Sequence, residues 1–360
     1  MAKITVIGAG VYGLSCALAL LKAGHDVRVF DKDKIGQGAS GGLVGALSPH
    51  VPEDWNMRKQ FQLKALLSGA AHWAEVEQLS GLPSGYGRVG RYIPLDDEYE
   101  AEKAKGRIMG AQRLWPERFS WQVLPKPAHI STTAAPYGVV FETLSARINP
   151  RLACLALAGA VTHLGGEILE NHAVESPKGL SVIAAGIGSE ALLAPFIGAD
   201  KIRGVKGQAA LFMGGLPAGS PMIYGTGVYI IPHADGTVAV GATSENKFSA
   251  AARTDALLEA VLAKAFAIVP ALKKATMLER HAGLRPRAPK PEAMLGQLDS
   301  TTFVATGGFK TGFGNAHAIA DALVQLVAGG QPDIPKDLSP AHHLTKRVKQ
   351  PMPWQITGQP

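Results

Sequence analysis

The chain has 360 residues, a formal net charge of +7 and two cysteines. This length favours two domains, or one large domain with an insertion. Two cysteines without metal-type spacing exclude a disulfide framework, and a reduced cytoplasm is the expected compartment. No apolar stretch approaches the roughly 18 residues of a membrane span, so none is expected. The positive charge favours an enzyme for anionic ligands; nucleic-acid binding is the alternative, although no basic run reaches five residues.

The N-terminal segment predicts a nucleotide-binding unit. Residues 3–7 predict a short buried strand, residues 12–23 a helix, and residues 25–30 a second strand. Gly24 ends the helix and Asp31 closes the second strand. A strand, a glycine turn, a helix and a second strand within about 30 residues form the first half of a nucleotide-binding fold.

Helical and strand patterns alternate through the rest of the chain. The predicted helices cover residues 55–80 (as one helix or two), 97–115, 151–164, 254–272 with Thr254 as N-cap, and 315–327. The predicted strands cover residues 88–95, 180–185, 205–212 and 303–306, with a hairpin within 229–243 that turns at Asp235-Gly236. Residues after 335 are expected to be irregular, with His342 and His343 at the surface.

The glycine turn is Gly8-Ala9-Gly10-Val11-Tyr12-Gly13. In this pattern Gly8 allows the tight turn, Gly10 lets the backbone approach a pyrophosphate, and Gly13 lets the helix pack closely on the strand. Val11 directly precedes the predicted helix and Tyr12 begins it; both are predicted to contact the cofactor, because the N–H groups and dipole at this helix end attract phosphate. The pattern predicts a bound dinucleotide, with an ordinary glycine turn as the alternative.

The acidic residue at the end of the second strand refines this prediction. The Asp31 carboxylate can accept hydrogen bonds from ribose hydroxyls and would repel a 2′-phosphate. Lys32 follows it and is predicted to contact the same cofactor. FAD and NAD share this fingerprint, so later motifs must decide between them.

Three later segments carry a family resemblance. They are the loop Gly36-Gln37-Gly38-Ala39-Ser40-Gly41-Gly42 with Gly45-Ala46-Leu47 after it, the segment Gly283-Leu284-Arg285-Pro286, and the run Gly307-Gly308-Phe309-Lys310-Thr311-Gly312. Together with the glycine turn, they resemble the D-amino-acid oxidase superfamily of FAD-dependent amine oxidoreductases, which includes glycine oxidase and sarcosine oxidase. The resemblance runs through scattered motifs from the N-terminus to about residue 330.

The resemblance implies an α/β fold, with a Rossmann-type FAD-binding domain and a second, α+β substrate domain on a mostly antiparallel sheet. The predicted FAD-binding domain is discontinuous and takes residues 1–75, 142–205 and 283–345. The predicted substrate domain takes residues 76–141 and 206–282, and residues 346–360 form an irregular tail. Gly207-Gln208 resembles the pair at which family members enter the substrate domain.

The resemblance also implies FAD without a covalent link, since no cysteine lies in the segments that carry such links in sarcosine oxidases. Beyond the glycine turn, the residues that it places against FAD are Asp31, Lys32, Ala39, Ser40, Gly41, Gly45, Ala46, Leu47, Val174, Ala185, Gly186, Arg285, Gly308, Phe309, Lys310, Thr311 and Gly312. Here Val174, on a strand, meets the adenine. A flexible surface loop remains the alternative for residues 36–42, and a buried strand with a tight turn for residues 183–186.

The implied substrate site contains Arg285, Tyr229, His50 and Lys310. A guanidinium binds a carboxylate bidentately and keeps its charge, which suits Arg285 to hold a substrate carboxylate over the flavin. Tyr229 resembles a pocket tyrosine of glycine oxidase, His50 faces the flavin, and Lys310 assists reaction with oxygen. Each has a structural alternative: a salt bridge for Arg285, a core or surface position for Tyr229, a hydrogen-bonded structural role for His50, and exposure for Lys310.

The chain departs from the family pattern at two places. Arg287-Ala288-Pro289-Lys290-Pro291-Glu292 stands where many relatives carry Asp-Gly. Gly307-Gly308 stands where relatives often show Gly-His. These differences indicate a substrate that differs from those of the relatives.

The predicted function is oxidation of the C–N bond of a small amine or amino acid of the glycine, sarcosine or D-amino-acid type. A hydride passes to flavin N5, the imine hydrolyses, and oxygen or a quinone reoxidises the flavin. One alternative is a tRNA-modifying FAD oxidase acting on a carboxymethylaminomethyl uridine, because residues 38–47 also resemble that branch, although tRNA is the less expected partner. Another is a non-catalytic flavin-binding subunit. No metal site is expected, since the histidines and cysteines lack ligand spacing.

Overall fold

The computed structural model describes residues 1–345. The predicted irregular tail, residues 346–360, lies outside the described residues. Within the described range, no helix combines the length and the apolar character of a membrane span.

Strands and short helices alternate along the chain. In chain order the strands within residues 1–345 are β1 Lys3–Ile7, β2 Asp26–Phe30, β3 Ala46–Leu47, β4 Arg91–Pro94, β5 Trp121–Leu124, β6 Val139–Glu142, β7 Ala146–Arg147, β8 Glu167–Leu169, β9 Ser181–Ile183, β10 Arg203–Met213, β11 Met222–Gly225, β12 Val228–Pro232, β13 Thr237–Gly241, β14 Thr276–Arg287, β15 Met294–Gln297 and β16 Thr302–Thr306. The α-helices in the same range are α1 Val11–Lys22, α2 Met57–Ser80, α3 Glu98–Leu114, α4 Pro150–His163, α5 Ser189–Ile197, α6 Ala256–Ile268, α7 Gly312–Val327 and α8 Pro340–Leu344.

The first sheet is mostly parallel and has the strand order β15-β16-β9-β1-β2-β8. Only β15 runs antiparallel to its neighbour, β16. Helix α1 is apolar on nearly every side because it packs against β1, β2, α4 and α7 together. The parallel strands bring the carboxyl ends of β1, β9 and β16 to one edge, where ligands bind in sheets of this kind.

The second sheet has the order β14-β10-β13-β12-β11-β4-β6-β5. Its neighbours are antiparallel except for the parallel pair β11–β4. Strands β10 and β14 pair from Arg203 opposite Arg287 to Met213 opposite Thr276. A β-bridge joins Arg287 to Gly308, so the end of β14 reaches the turn that follows β16 in the first sheet.

These two sheets confirm the expected fold class, a Rossmann-type α/β unit beside a mostly antiparallel second unit. The domain boundaries stay a prediction, although the strands of the second sheet come from residues 91–142 and 203–287.

One open alternative is resolved, and two local predictions need correction. Residues 55–80 contain one helix, α2, whose N-cap is Asn56. Asp255, not Thr254, caps α6, because the Asp255 carboxylate accepts a hydrogen bond from the helix backbone. Val174 lies in a loop between β8 and β9 instead of on a strand.

Pattern analysis also missed β14 and α5. The residues of β14 are exposed in its first part and half-buried after it, without alternation, which removes the periodicity that predicts a strand. After residue 335, a short helix α8 replaces the expected irregular chain. His343 is buried, not at the surface: its ring lies 3.3 Å from the Lys290 N–H nitrogen and 3.1 Å from the Ala293 carbonyl oxygen.

Two stacked histidines join α2 to α7 and predict a pH-dependent stability. The rings of His72 and His317 are 4.7 Å apart. Burial lowers the pKa of His72 from 6.5 to about 3 and that of His317 from 6.5 to about 4. As the pH falls below about 6.5, the unfolded chain takes up protons that the folded chain refuses, so the free energy of unfolding falls by up to about 1.4 kcal/mol per pH unit for each histidine.

Urea unfolding between roughly pH 5 and pH 7.5 measures this loss. His72→Phe keeps a stacked ring and removes one titrating group, so its stability is expected to fall less steeply with decreasing pH. Equal slopes for the wild type and His72→Phe would contradict the assignment.

Candidate functional site

A cavity of about 820 Å³ opens where the edge of the first sheet meets a face of the second. Every sequence-predicted site residue lines it except Gly13 and Gly41, which pack behind its wall. Tyr229, His50 and Arg285 line the same cavity as the glycine turn. The tertiary structure therefore brings the predicted cofactor contacts and the predicted substrate contacts to one place.

The glycine turn is shaped by close backbone contacts. Gly8 has a φ of +115°, and a Cβ there would lie 2.4 Å from the Ala184 carbonyl oxygen. A Cβ at Gly13 would lie 1.7 Å from the Gly8 carbonyl oxygen. Any side chain at these two positions would separate β1 from its neighbours or from α1. At Gly10 the nearest atom is the Ser40 hydroxyl oxygen, at 3.1 Å, and the space beyond belongs to the cavity.

The N-terminus of α1 suits a phosphate group. Its N-cap, Gly10, has no side-chain cap, and its first turn holds no acidic residue. The Ser40 hydroxyl accepts the Val11 N–H at 3.0 Å, and its own hydrogen stays available to donate to a phosphate oxygen. Backbone N–H groups, a helix dipole and a hydroxyl therefore meet at one point of the cavity wall.

Asp31 is held in place by the turn that it faces. Its Oδ2 accepts the Ala9 N–H at 2.6 Å and its Oδ1 accepts the Asp33 N–H at 2.9 Å. A carboxylate has about four acceptor sites, so both oxygens can still accept from ribose hydroxyls. Lys32 lines the cavity beside it, with its side chain largely exposed.

Tyr12 and Gly308 explain one departure from the family pattern. The Tyr12 side chain is buried, and a Cβ at Gly308 would lie 2.4 Å from the Tyr12 hydroxyl oxygen. The tyrosine ring thus occupies the place of a side chain at position 308, where the resemblance leads one to expect histidine. Two residues that are distant in sequence have to be chosen together here.

Helix α7 presents a second uncapped N-terminus to the cavity. Its N-cap, Thr311, makes no side-chain cap, and Gly312 and Gly314 of its first turn line the cavity. Free N–H groups at this end attract negative charge. This suits the pyrimidine edge of a flavin, which gains negative charge when the flavin is reduced.

Arg285 lies on β14 and lines the cavity. Its Nη1 donates to the Thr243 carbonyl oxygen at 3.1 Å, and no carboxylate of the described residues forms an ion pair with it. A Cβ at Gly207 would lie 2.1 Å from the Arg285 Nη1, so the guanidinium rests flat on this glycine. Burial lowers the pKa of Arg285 and Glu245 opposes that effect, and the guanidinium keeps its charge. A buried cation without a bonded carboxylate is stabilised when a ligand supplies an anion.

A polar network lies behind Arg285 and was not predicted. Lys206 is almost fully buried, with its Nζ 2.7 Å from an Asp255 oxygen and 3.6 Å from a Glu245 oxygen. Gln208 donates to the same two carboxylates, at 2.7 and 2.9 Å. The family-like Gly207-Gln208 pair was the only sequence feature that pointed to this region.

Arg91, Glu142 and Tyr229 form another polar group in the cavity wall. Arg91 Nε lies 3.0 Å from Glu142 Oε1, and Arg91 Nη1 donates to the Tyr229 hydroxyl oxygen at 3.1 Å. Burial acting alone would lower the pKa of Arg91, but Glu142 and Tyr229 together raise it. Sequence analysis missed Arg91 and Glu142; the available sign was a charged residue at the start or end of an otherwise apolar strand.

Lys310 lies 5.4 Å above the Phe309 ring and lines the cavity. Burial lowers its pKa, and the nearby Arg285 and Arg287 guanidinium groups lower it further. This end of the cavity therefore carries excess positive charge, which favours anionic ligands.

His50 also lines the cavity, and its backbone N–H donates to the Gln62 side chain at 3.1 Å. Burial lowers the pKa of His50, and the Lys59 and Arg58 charges add to that effect. A neutral imidazole at neutral pH follows from this environment. Within residues 1–345, no cluster of histidine, cysteine and acidic side chains could hold a metal ion.

The chain is similar in sequence to known FAD-dependent oxidoreductases. A family model described as FAD dependent oxidoreductase matches residues 3–326. Glycine oxidase of Pseudomonas aeruginosa is 26% identical over 380 residues, which cover 95% of this chain and 99% of that protein. The tRNA 5-methylaminomethyl-2-thiouridine biosynthesis bifunctional protein of Aromatoleum aromaticum is 27% identical over 322 residues, covering 81% of this chain and 49% of that protein.

A solved structure agrees in fold. The crystal structure of glycine oxidase from Bacillus cereus has a TM-score of 0.81 with this protein, at 24% identity over 91% of this chain and 98% of that one. The glycine turn, the two uncapped helix ends and Asp31 fit a dinucleotide such as FAD. Since the family model also spans most of the chain, the protein belongs to the D-amino-acid oxidase (DAO) family of FAD-dependent oxidoreductases and is an enzyme of that family.

Proposed function

We propose that the protein oxidises the C–N bond of a small amine that carries a carboxylate, such as glycine, sarcosine or a D-amino acid. The observation that supports this best is Arg285, a largely buried guanidinium that lines the cavity without a carboxylate partner among the described residues. Similarity to glycine oxidases supports the same substrate class.

The proposed cofactor arrangement follows from the cavity wall. The glycine turn and the N-terminus of α1 hold the diphosphate, Asp31 accepts from the adenosine ribose, and the N-terminus of α7 faces the flavin. The bound flavin supplies the electron-pair acceptor for the substrate, chemistry that protein side chains lack. We propose a non-covalent complex, because Cys16 and Cys154 do not line the cavity, and burial raises the pKa of both thiols to about 12. These free thiols also suit a reducing compartment such as the cytoplasm.

The chain's own residues bind and orient the substrate. Arg285 holds the carboxylate bidentately, and its guanidinium packs directly against the backbone of Gly207. The lowered pKa of His50 leaves a neutral ring beside the cavity, so this side chain adds no charge that would compete with Arg285 for the substrate carboxylate. The amine must be neutral to be oxidised, and a positively charged cavity end favours its loss of a proton before reaction.

A second candidate function is oxidation of a carboxymethylaminomethyl group on a tRNA uridine. The observation in its favour is the similarity to the tRNA-modifying protein over 322 residues. Its substrate also carries a carboxylate beside a secondary amine, so Arg285 suits both candidates. Strong, salt-dependent binding of tRNA by the purified protein would favour this function over the first.

An anaerobic screen with matched ligand pairs tests the proposal. Glycine is compared with methylamine and sarcosine with dimethylamine, each pair sharing the amine and differing in the carboxylate. We expect a carboxylate-bearing amine to bleach the oxidised-flavin absorbance and its partner to leave it unchanged. Equal bleaching by both members of a pair would refute the carboxylate requirement, and bleaching by none of a broad set of amino acids would refute the substrate class.

A further inference from the structure

A buried ion pair stands in the wall of the cavity, on the second sheet. Arg91 and Glu142 lie directly opposite each other on β4 and β6. Arg91 is 5% exposed and Glu142 is fully buried. An ion pair of this kind gives little net stability, because both charges lose their hydration and an apolar pair of equal volume does as well. Its presence beside the cavity therefore calls for a role other than stability.

Glu142 is anchored from behind. Its Oε2 accepts the Leu144 N–H at 3.0 Å and the Ser145 N–H at 2.9 Å, and its Oε1 accepts the Ser145 hydroxyl. These bonds fix the carboxylate, and the carboxylate in turn fixes the Arg91 guanidinium. Glu142 does not line the cavity, so it acts on a ligand only through Arg91.

Arg91, held in this way, in turn orients Tyr229 on β12. The Tyr229 hydroxyl oxygen accepts the Arg91 Nη1 proton at 3.1 Å. A guanidinium has no acceptor, so the hydrogen of the phenol must point elsewhere. Tyr229 makes no other side-chain hydrogen bond among the described residues, and it lines the cavity. The Tyr224 ring, 4.5 Å from the Tyr229 ring and 5.8 Å from the Arg91 guanidinium, limits rotation of both side chains.

The two guanidinium groups of the cavity thus differ in charge balance. Arg91 is neutralised by Glu142, whereas Arg285 is not paired with any carboxylate of residues 1–345. Arg285 attracts an anion from solution. Arg91 cannot do so, because its charge is already compensated, but it can orient a neutral donor.

We propose that Arg91 and Glu142 are positioning residues that hold the Tyr229 hydroxyl as a hydrogen-bond donor into the cavity, toward the carboxylate of the bound ligand. This inference rests on the proposed function, because it takes a carboxylate as the ligand group. The carboxylate has enough acceptor sites for a bidentate arginine and a phenol together.

Acetate binding to the oxidised, FAD-loaded protein tests the inference without any need for turnover. Acetate is titrated while the flavin absorption spectrum is recorded, and the dissociation constant is compared between variants. Tyr229→Phe is expected to weaken acetate about tenfold or more, the size of a hydrogen bond to a charged group. The paired change Arg91→Met with Glu142→Gln removes both charges at similar volume, and is expected to weaken acetate several-fold because the phenol loses its orientation.

The combined variant separates positioning from a merely structural role. When Tyr229→Phe is already present, the paired change is expected to have no further effect on acetate affinity. A further loss equal to that seen with Tyr229 present would overturn the inference, since the pair would then act independently of the phenol. Unchanged acetate affinity in Tyr229→Phe would overturn it as well.

A second substitution tests the inference in case the paired variant does not fold. Arg91→Lys keeps the charge opposite Glu142, but one ammonium cannot reproduce both the Glu142 contact of Nε and the hydrogen bond from Nη1 to Tyr229. Arg91→Lys is expected to weaken acetate binding when Tyr229 is present and to leave acetate binding unchanged in the Tyr229→Phe background. If the wild-type protein did not bind acetate, the proposed function would be overturned as well. If the wild type bound acetate and the Arg91 variants bound it equally well, only the positioning role would be overturned.

Discussion

Gly10→Val is expected to yield a folded protein that does not hold flavin. Gly10 has a φ of −85° and a ψ of −178°, an extended conformation that valine adopts readily. The new Cβ would contact only the Ser40 side chain, 3.1 Å from its hydroxyl oxygen, and no backbone atom, so the fold tolerates it. The methyl groups, however, would stand where the diphosphate approaches the backbone. Overlap costs about 1–3 kcal/mol and each lost charged hydrogen bond about 1.5–3 kcal/mol, so affinity should fall by more than roughly 100-fold.

The measurement is flavin content after purification, followed by titration of the apoprotein with FAD. Gly106→Val is the matched control, because this glycine lies in α3 with no atom within 4 Å of an added Cβ, and it does not line the cavity. The control should stay yellow. Gly8 and Gly13 are unsuitable sites for this test, since their contacts with backbone atoms would unfold the protein. A yellow, fully loaded Gly10→Val protein would show that the diphosphate lies elsewhere.

Arg285→Ala is expected to keep its flavin and to lose most of its activity toward carboxylate-bearing amines. The lost interaction is a charged, bidentate hydrogen bond, for which about 1.5–3 kcal/mol is the usual size, or roughly a 10- to 150-fold lower kcat/KM. Amines without a carboxylate should react equally slowly with both proteins. Unchanged kcat/KM for the carboxylate substrates would refute the role of Arg285 in binding the carboxylate.

Gly207→Ala tests the same interaction by displacing the Arg285 guanidinium without removing it. The added Cβ would lie 2.1 Å from the Arg285 Nη1, which is the far end of a flexible side chain, so the guanidinium moves and the fold persists. We expect a several-fold lower kcat/KM and an unchanged affinity for FAD. If Gly207→Ala matched the wild type while Arg285→Ala did not, the position of the guanidinium would matter less than its charge.

Much of the cofactor side of the site was predictable from sequence, because its determinants are local. Gly8 is required by its positive φ, and Gly13 is required by its close contact with the Gly8 carbonyl oxygen five residues earlier. Asp31 directly follows the next strand, β2, and its carboxylate accepts a hydrogen bond from the turn. Strand, turn and helix follow one another directly, so residue type and spacing were sufficient to predict them.

The substrate side was predictable only in part. The family resemblance singled out Arg285 and Tyr229, but gave no account of what holds either side chain. Pattern analysis failed for β14, which carries Arg285, because half-buried residues lack a clear period. Burial of His343 was also missed, since its partner Ala293 lies far away in sequence.

The sequence by itself determined the glycine turn and the acidic residue after the second strand, and these predicted a bound dinucleotide. They could be recognised because the steric limits at single positions are met only by particular residue types. Only the tertiary structure decided that Arg91 is neutralised and Arg285 is not. That distinction depends on the register that sets Arg91 opposite Glu142 and on the contact of Arg285 with Gly207, which join segments far apart in the chain. Charge compensation in a buried site is a matter of distance in space, and spacing along the chain does not encode it.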